Sequence, residues 1–257
     1  MAVLLVDIGN SRIKWARLDG GRLGRRQAAA RSGWHVADYA RRVLGSGSAP
    51  ERMLVSSVAG SEVNRALASA ARRARIKAQF VTTPRRAGGV TVGYVHPWRL
   101  GVDRFVAAVG AHGLFPGVAV CVVGVGTAMT LDLVGGDGRH RGGVIIPAPE
   151  LMVETLFSKT HGIRRRARGG AAAAPGLYAR STRAGVVQGS RYAAAALIDR
   201  AVEEARTVVG RAPLVVLTGG EAGVVRPLLR SPWVGVPDLV LRGLAVLAQV
   251  AQPVGRR

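Results

Sequence analysis

The chain alternates between short apolar runs and longer segments in which apolar residues recur every three or four positions. Four apolar runs begin at Val3, Met53, Val118 and Leu214, and each is followed within two residues by a glycine. Runs of this length and ending predict buried β-strands. The longer segments predict α-helices at residues 61–77, 103–114, 149–158, 182–208 and 239–250. This pattern predicts a mixed α/β protein.

Two parts of the chain show the same order of elements. In the first part, strands are predicted at residues 3–7, 13–18, 23–28, 53–58 and 80–82, with turns at 8–11 and 19–21. In the second part, strands are predicted at 118–123, 129–134, 140–146 and 214–217, with turns at 124–128 and 135–138. The shared order indicates an internal repeat in which Gly124 takes the place of Asp7. We therefore expect two α/β halves, residues 1–116 and 117–257, with a ligand cleft between them.

The composition favours a cytoplasmic protein with a substantial core. Hydrophobic residues make up 48% of the 257 residues, and the single cysteine, Cys121, lies inside an apolar run. A disulfide within the chain is therefore excluded, and Cys121 is expected to be a small buried hydrophobe. The longest uncharged stretch, residues 113–131, is interrupted by glycines and Pro116, so we predict no membrane span. The N-terminal apolar run is short and lacks the basic flank of a signal peptide.

The charge is strongly unbalanced, with 37 Lys and Arg residues against 15 Asp and Glu residues and a net charge of +22. Such a surface attracts polyanions, including nucleic acids and phosphorylated metabolites. The arginines are scattered along the chain, although residues 164–168 form one dense cluster. No zinc-finger or RNA-recognition motif accompanies them. Nucleic acid is therefore a possible partner that the sequence does not favour.

A candidate phosphate-binding turn follows the first predicted strand. Asp7 ends that strand, and a carboxylate there can hold Mg²⁺ through its water shell. Gly9 allows the backbone to approach a phosphate, and Lys14 adds a positive charge. The turn is also compatible with an ordinary hairpin. A matching turn at residues 126–128 in the second half favours phosphate binding, since two such turns could contact one triphosphate.

A candidate catalytic pair, Asp103 and Arg104, stands where a loop leads into a predicted helix. A carboxylate in this position can accept the proton of an attacking hydroxyl group. The neighbouring guanidinium can bind a substrate carboxylate or stabilise transition-state charge. The alternative is a helix-capping aspartate next to a surface arginine. A third candidate, residues 218–221, follows a strand with two glycines and could lie against a nucleotide, although a plain loop is equally compatible.

These motifs, in this order, resemble those of type III pantothenate kinases, which share a superfamily with acetate kinase, sugar kinases, heat-shock ATPases and actin. The resemblance spans most of the chain. The matching segments are residues 7–14 (first phosphate motif), 94–104 (pantothenate motif), 126–132 (second phosphate motif), 142–147, 181–189 and 218–222 (adenosine side). The resemblance implies two ribonuclease-H-like halves of the actin-like ATPase fold, with mixed central sheets and an interdomain cleft.

The resemblance also implies a function, namely ATP-dependent phosphorylation of pantothenate to 4'-phosphopantothenate, the first step of coenzyme A biosynthesis. It makes Asp103 the general base and Asp7 the residue that orients Mg²⁺ through water. It implies that pantothenate contacts Tyr94, Gly101, Val102, Asp103, Arg104 and Thr182. It implies that ATP contacts Asp7, Ile8, Gly9, Asn10, Ser11, Arg12, Ile13, Lys14 and Thr127. The family is homodimeric and uses K⁺ or NH₄⁺.

Two positions depart from the family pattern. The family usually has an aspartate linked to the monovalent cation where this chain has Gly124, so the need for K⁺ or NH₄⁺ is in doubt. After Pro147 the family prefers glycine, whereas this chain has Ala148 and Pro149. An alternative function is therefore a regulatory accessory protein, or a nucleic-acid-binding member of the fold, with lost or secondary kinase activity. The retained Asp7, Asp103 and Arg104 argue for a kinase, and a different hydroxyl acid remains open as its substrate.

Overall fold

A computed structural model describes residues 2–45, 49–169 and 176–250 of the chain. The described residues form two compact units. The first contains the chain up to Gly117, the short segment Gly138–His140 and the chain from Asp238 onward. The second contains Val118–Asp137 and Arg141–Pro237. The closing helix thus belongs to the first unit, although it lies in the segment expected for the second half. The assignment of residues 1–116 and 117–257 to two halves stays a prediction.

The strands form one sheet in each unit and one small ribbon. The strands of the first sheet are β1 Val3–Ile8, β2 Arg12–Asp19, β3 Arg22–Leu23, β4 Gln27–Ala30, β5 Arg52–Ser57 and β6 Lys77–Phe80. The ribbon pairs β7 Arg86–Ala87 with β8 Val90–Thr91. The strands of the second sheet are β9 Val120–Val125, β10 Ala128–Val134, β11 His140–Pro147, β12 Leu214–Thr218 and β13 Trp233–Gly235.

Eight α-helices accompany these strands in the described residues. They are α1 Val36–Tyr39, α2 Ser61–Arg73, α3 Val102–Leu114, α4 Pro149–Lys159, α5 His161–Arg166, α6 Thr182–Val209, α7 Ala222–Val225 and α8 Leu239–Val250. A π-helical turn, Ala40–Leu44, continues α1. Short 3₁₀ turns stand at Pro97–Arg99 and Arg226–Leu228. None of the described helices combines the length and apolar character that crossing a membrane requires.

The two sheets have the same strand order, which confirms the internal repeat. The orders are β3-β2-β1-β5-β6 and β11-β10-β9-β12-β13, and β4 also pairs with β2. In each sheet the first strand is antiparallel to the second and parallel to the strand that follows the hairpins. Asp7 and Gly124 hold the same position, one residue before the end of β1 and β9. The structure therefore has the α/β fold with two mixed sheets that the sequence predicted.

The central strands are apolar because both of their faces are covered. All six residues of β1 are buried, and Leu4, Val6 and Ile8 join the core beneath α2. In the second unit, Cys121 of β9 is buried in a separate core with Val123 and Leu131. Burial, with Asp132 nearby, raises the pKa of the Cys121 thiol to about 12. Cys121 is thus the buried hydrophobe that was predicted.

Helices α3 and α8 approach each other closely through glycines. A Cβ atom on Gly243 would lie 1.9 Å from the carbonyl oxygen of Val106, and one on Gly110 would lie 2.6 Å from that of Leu239. Only residues without side chains permit this backbone contact. Asp103 stands in the first turn of α3, and Asp238 immediately precedes α8.

Four predicted elements were wrong in their extent. The strand expected at 118–123 is β9, which runs from Val120 to Val125 and therefore includes Gly124. Helix α2 ends at Arg73 instead of residue 77, because Arg75 has a positive φ of 57° that a helix cannot continue. The strand expected at 80–82 is instead β6, which starts at Lys77. The strand expected at 23–28 is divided into β3 and β4, since the Gly24 N–H turns to donate to the carbonyl of Arg17 at 2.8 Å. Helices α1, α5 and α7 and strands β7, β8 and β13 were not predicted.

Candidate active site

Asp7 lies at the carboxyl end of β1, between two neighbouring strands. Lys14 of β2 and Ser56 of β5 are its register partners. Asp7 is almost fully buried, and this burial raises the pKa of its carboxyl group to about 7. Lys14 lowers that pKa, whereas the charges of Asp103 and Asp238 raise it further. Burial is therefore the main cause of the raised pKa, and a cation beside the carboxyl group would favour its ionised form.

The turn after Asp7 is a hairpin whose polar residues are exposed. The Gly9 N–H donates to the carbonyl of Arg12 at 2.9 Å, and Asn10 and Ser11 are open to solvent. Lys14 is half-buried. Ile8 and Ile13 are fully buried in the core, so their side chains are not available to a nucleotide. Ile8 and Ile13 could therefore contact ATP only through their backbone groups.

Asp103 is the second residue of α3, and its carboxylate lies at the helix start. Its Oδ1 accepts the backbone N–H of Arg104 at 2.8 Å. Gly101 is the capping residue, and a Cβ atom there would lie 2.8 Å from the same Oδ1. The positive end of the helix dipole stabilises a carboxylate in this turn. The alternative interpretation of Asp103 as a helix cap is therefore wrong.

Arg104 is buried, with 7% of its surface exposed, so it is not a surface arginine. Its Nη1 donates to the hydroxyl oxygen of Tyr94 at 3.3 Å, and the Tyr94 ring packs on His140 with centroids 5.6 Å apart. The loop carrying Tyr94 is held by Arg85, which donates to the carbonyls of Val92, Tyr94 and Val95 at 3.0, 2.7 and 2.7 Å. The first unit thus fixes the guanidinium and the phenol of the predicted pantothenate motif beside each other.

The second unit contains the remaining predicted residues. Thr127 is exposed in the turn between β9 and β10, and its carbonyl accepts the N–H of Ala148 at 3.2 Å. Gly219 has a φ of +105°, and a Cβ atom there would lie 2.1 Å from the carbonyl oxygen of Val125. The turn after β12 therefore packs against the end of β9, next to the turn of Thr127. Position 124, the register partner of Thr218, offers no side chain at this strand end.

Thr182 begins α6, and the Oγ of Ser181 caps this helix by accepting the Ala184 N–H at 3.2 Å. A groove of about 670 Å³ opens beside Thr182 between α4 and α6.

Glu221, in the turn after β12, interacts with Glu150 of α4. Burial, together with Glu150 and Glu154, raises the pKa of Glu221.

The structure also identifies two residues that sequence reasoning missed. Asp238 lies close enough to Asp7 to act on its carboxyl group, and it forms a 2.8 Å ion pair with Arg26. Its φ of 61° is unusual for a residue other than glycine. Arg31 donates to the carbonyls of Gly9 and Asn10 in the phosphate turn. The scarcity of carboxylates in a chain of net charge +22 was a signal for Asp238, whereas Arg31 had none.

The carboxylates of Asp7, Asp103 and Asp238 determine whether a magnesium ion fits the predicted site. Among the described residues, no three His, Cys, Asp or Glu side chains lie close enough together to hold a metal ion directly. Mg²⁺ retains several of its waters in proteins and needs only one or two carboxylates. The buried Asp7, which Asp103 and Asp238 make harder to ionise, suits an ion held through water. These residues therefore fit a hydrated Mg²⁺ ion.

Comparison with known proteins gives extensive matches. A sequence model of the type III pantothenate kinase family matches residues 3–204. The type III pantothenate kinase of Nitrosococcus oceani is 36% identical over 99% of this chain and 96% of its own length. That of Stenotrophomonas maltophilia strain K279a is 37% identical over 99% of this chain and 100% of its own length.

Solved structures share the fold at low sequence identity. A Campylobacter jejuni protein, described as a conserved Baf family transcriptional activator, has a TM-score of 0.61 at 16% identity, covering 96% of this chain and 98% of its own. A ROK family glucokinase from Streptomyces griseus, in complex with glucose and AMPPNP, has a TM-score of 0.54 at 12% identity, with coverages of 98% and 100%. These likenesses concern the fold alone. Because the family model and relatives above 30% identity extend over most of its length, the chain belongs to the type III pantothenate kinase family.

Proposed function

We propose that the chain transfers the γ-phosphoryl group of ATP to the primary hydroxyl group of pantothenate. The products are 4'-phosphopantothenate and ADP, and the reaction is the first step of coenzyme A biosynthesis. The observation that carries the proposal is the pairing of Asp103 with the buried Arg104 at the start of α3, in a unit where Asp103 also acts electrostatically on Asp7. A chain of this family with both carboxylates retained is equipped for catalysis.

Asp103 is the general base of the proposed reaction. Its carboxylate accepts the hydroxyl proton of pantothenate as the substrate oxygen forms a bond to the γ-phosphorus of ATP and the bond to the β-phosphate oxygen breaks. The hydrogen bond from the Arg104 N–H orients the carboxylate. Asp103 is half-buried, so part of its surface is open to a substrate hydroxyl group.

Arg104 and Tyr94 are the proposed anchors of pantothenate, with Gly101, Val102 and Thr182 as further contacts. Burial of the guanidinium makes a charge-assisted bond to the pantothenate carboxylate stronger than at the surface. The contact with the Tyr94 hydroxyl fixes the guanidinium before substrate arrives. A side chain that is already fixed in its binding position loses less conformational entropy when the ligand binds.

The proposed ATP contacts are Asp7, Lys14, the backbone of residues 8–13 and Thr127. Asp7 would hold Mg²⁺ through water, and the ion supplies charge neutralisation at the phosphate oxygens when bound. Binding of a monovalent cation is less well supported, because Gly124 has no carboxylate that could bind it. We propose that K⁺ and NH₄⁺ contribute little to turnover in this chain.

The test is an assay of purified protein with pantothenate, ATP and Mg²⁺ in a buffer with Na⁺ as the only monovalent metal cation. We expect 4'-phosphopantothenate, detected by mass spectrometry, only when all three components are present. We expect its rate of formation to change little when K⁺ or NH₄⁺ is added. A folded protein that binds ATP without forming this product would refute the function. A strict requirement for K⁺ would refute only the statement about the cation.

We propose that the chain is a homodimer and that the second unit carries its interface. Val144 and Ile145 of β11 are 46% and 59% exposed, and the groove beside Thr182 is lined mainly by apolar and small residues. Exposed apolar patches of this kind are typical of interaction surfaces.

Sedimentation should give twice the monomer mass of 26.8 kDa. Ile145→Glu should yield monomers, whereas Val208→Glu, near the other end of α6, should remain dimeric. A wild-type monomer at all concentrations would contradict the proposal.

We also propose a cytoplasmic location. The single cysteine is a buried thiol and therefore needs no oxidising compartment. The proposed substrate ATP is a cytoplasmic metabolite. Cell fractionation of the native host tests this location, and recovery of the protein with the membrane or the secreted fraction would contradict it.

A further inference from the structure

Arg31 holds the main chain of the phosphate turn. It follows β4, and its Nε donates to the carbonyl oxygen of Gly9 at 2.9 Å. Its Nη2 donates to the carbonyl oxygen of Asn10. Its own backbone N–H donates to the carbonyl of Ser11 at 3.2 Å. One residue therefore binds three consecutive carbonyl groups of the turn, and two of these bonds come from a charged guanidinium.

These bonds determine where the amides of the turn point. In a trans peptide unit the C=O and the following N–H point in opposite directions. Fixing the carbonyls of Gly9 and Asn10 toward Arg31 therefore directs the N–H groups of Asn10 and Ser11 away from it. Amides directed together in this way form a concavity that binds anions. The guanidinium also draws the negative ends of these two peptide dipoles to its own side of the turn.

We propose that Arg31 is a positioning residue that prepares the turn of Gly9, Asn10 and Ser11 for the phosphates of ATP. The inference rests on the proposed binding of ATP at this turn. Arg31 does not touch ATP in this proposal, and its effect reaches the phosphates only through the backbone amides. The affinity of ligands without phosphate groups should therefore not depend on Arg31.

The surroundings of Arg31 allow a chemical test. A groove of about 1040 Å³ within the first unit reaches Arg31. Its lining includes Asn10, Ser11, Trp34, Tyr39, Glu62 and Arg65. Truncation of Arg31 to alanine would leave the space of the guanidinium open to this groove. A small guanidinium ion could then enter and restore the two bonds to the carbonyls.

The experiment compares ATP and adenosine binding to the wild type, Arg31→Ala and Arg31→Lys by calorimetric titration. Loss of the two charge-assisted bonds should weaken ATP binding about tenfold in Arg31→Ala. Adenosine binding should not change. Arg31→Lys, which lacks the planar fork, should give an intermediate loss. Added methylguanidinium should recover part of the ATP affinity of Arg31→Ala. Arg22→Ala, an exposed arginine of β3, is the control for the loss of one positive charge.

The outcomes separate this inference from the proposed function. Equal weakening of ATP and adenosine, or unchanged ATP binding in Arg31→Ala, would overturn the positioning role. An effect of the same size in Arg22→Ala would also overturn it, since charge alone would then explain the loss. Because these titrations need no turnover, they test Arg31 even if the wild type proves unable to phosphorylate pantothenate.

Discussion

Asp103→Asn is expected to lower kcat by about 10²- to 10⁴-fold, the contribution of a well-placed general base. Asparagine has nearly the same shape as aspartate, and its carbonyl oxygen can still accept the N–H of Arg104. The amide cannot take the proton of an attacking hydroxyl at neutral pH. The change therefore removes the proposed chemistry while keeping the start of α3 in place. ATP affinity should stay close to that of the wild type.

Steady-state kinetics of pantothenate phosphorylation, with ATP binding measured separately, check this result. Asp38→Asn is the matched control, because Asp38 also lies in the first turn of a helix and accepts a backbone N–H, that of His35, at 3.1 Å. Its replacement should leave kcat unchanged. Full activity in Asp103→Asn would mean that another group accepts the proton. Loss of ATP binding together with activity would indicate a structural role for Asp103 instead.

Much of the fold could be predicted because its signals are local. The apolar runs of β1 and β9 each end at a glycine-containing turn, and the same order of strands follows both. That repetition was sufficient to predict two related sheets. The candidate carboxylates were also found from local position, since Asp7 stands at the end of a predicted strand and Asp103 at the start of a predicted helix.

The features that could not be predicted depend on residues distant in the sequence. Arg31 contacts Gly9 across a separation of 22 residues, and Arg26 pairs with Asp238 across 212. Nothing near Arg31 distinguishes it from the other arginines of an arginine-rich chain. The end of α2 was missed for a different reason, because an arginine at a positive φ gives no sequence signal of the kind that glycine gives. Tertiary packing, including the buried Ile76, decides that boundary.

The second prediction concerns Asp7, whose replacement should have opposite effects on stability and activity. Burial raises the pKa of this carboxyl from 3.8 to about 7, so the folded protein disfavours its ionised form. The wild type therefore loses free energy of unfolding as the pH rises from about 4 to about 7. The loss is at most about 4 kcal/mol, since each pKa unit corresponds to about 1.4 kcal/mol. Asp7→Asn carries no charge and should escape this loss.

We thus expect Asp7→Asn to be more stable than the wild type at pH 8 without Mg²⁺, and similarly stable near pH 4. Urea unfolding at several pH values measures this difference, with Asp19→Asn, an exposed position of β2, as the control. The same variant should lose most of its kinase activity and its affinity for Mg²⁺ with ATP, because only the ionised carboxylate attracts the hydrated ion. Mg²⁺ with ATP should therefore stabilise the wild type more than the variant.

A variant less stable than the wild type at pH 8 would show that Asp7 stabilises the fold. A stable variant with normal activity would exclude Asp7 from binding the ion. The combination of higher stability and lost activity is expected only if the buried carboxylate is maintained for its ligand.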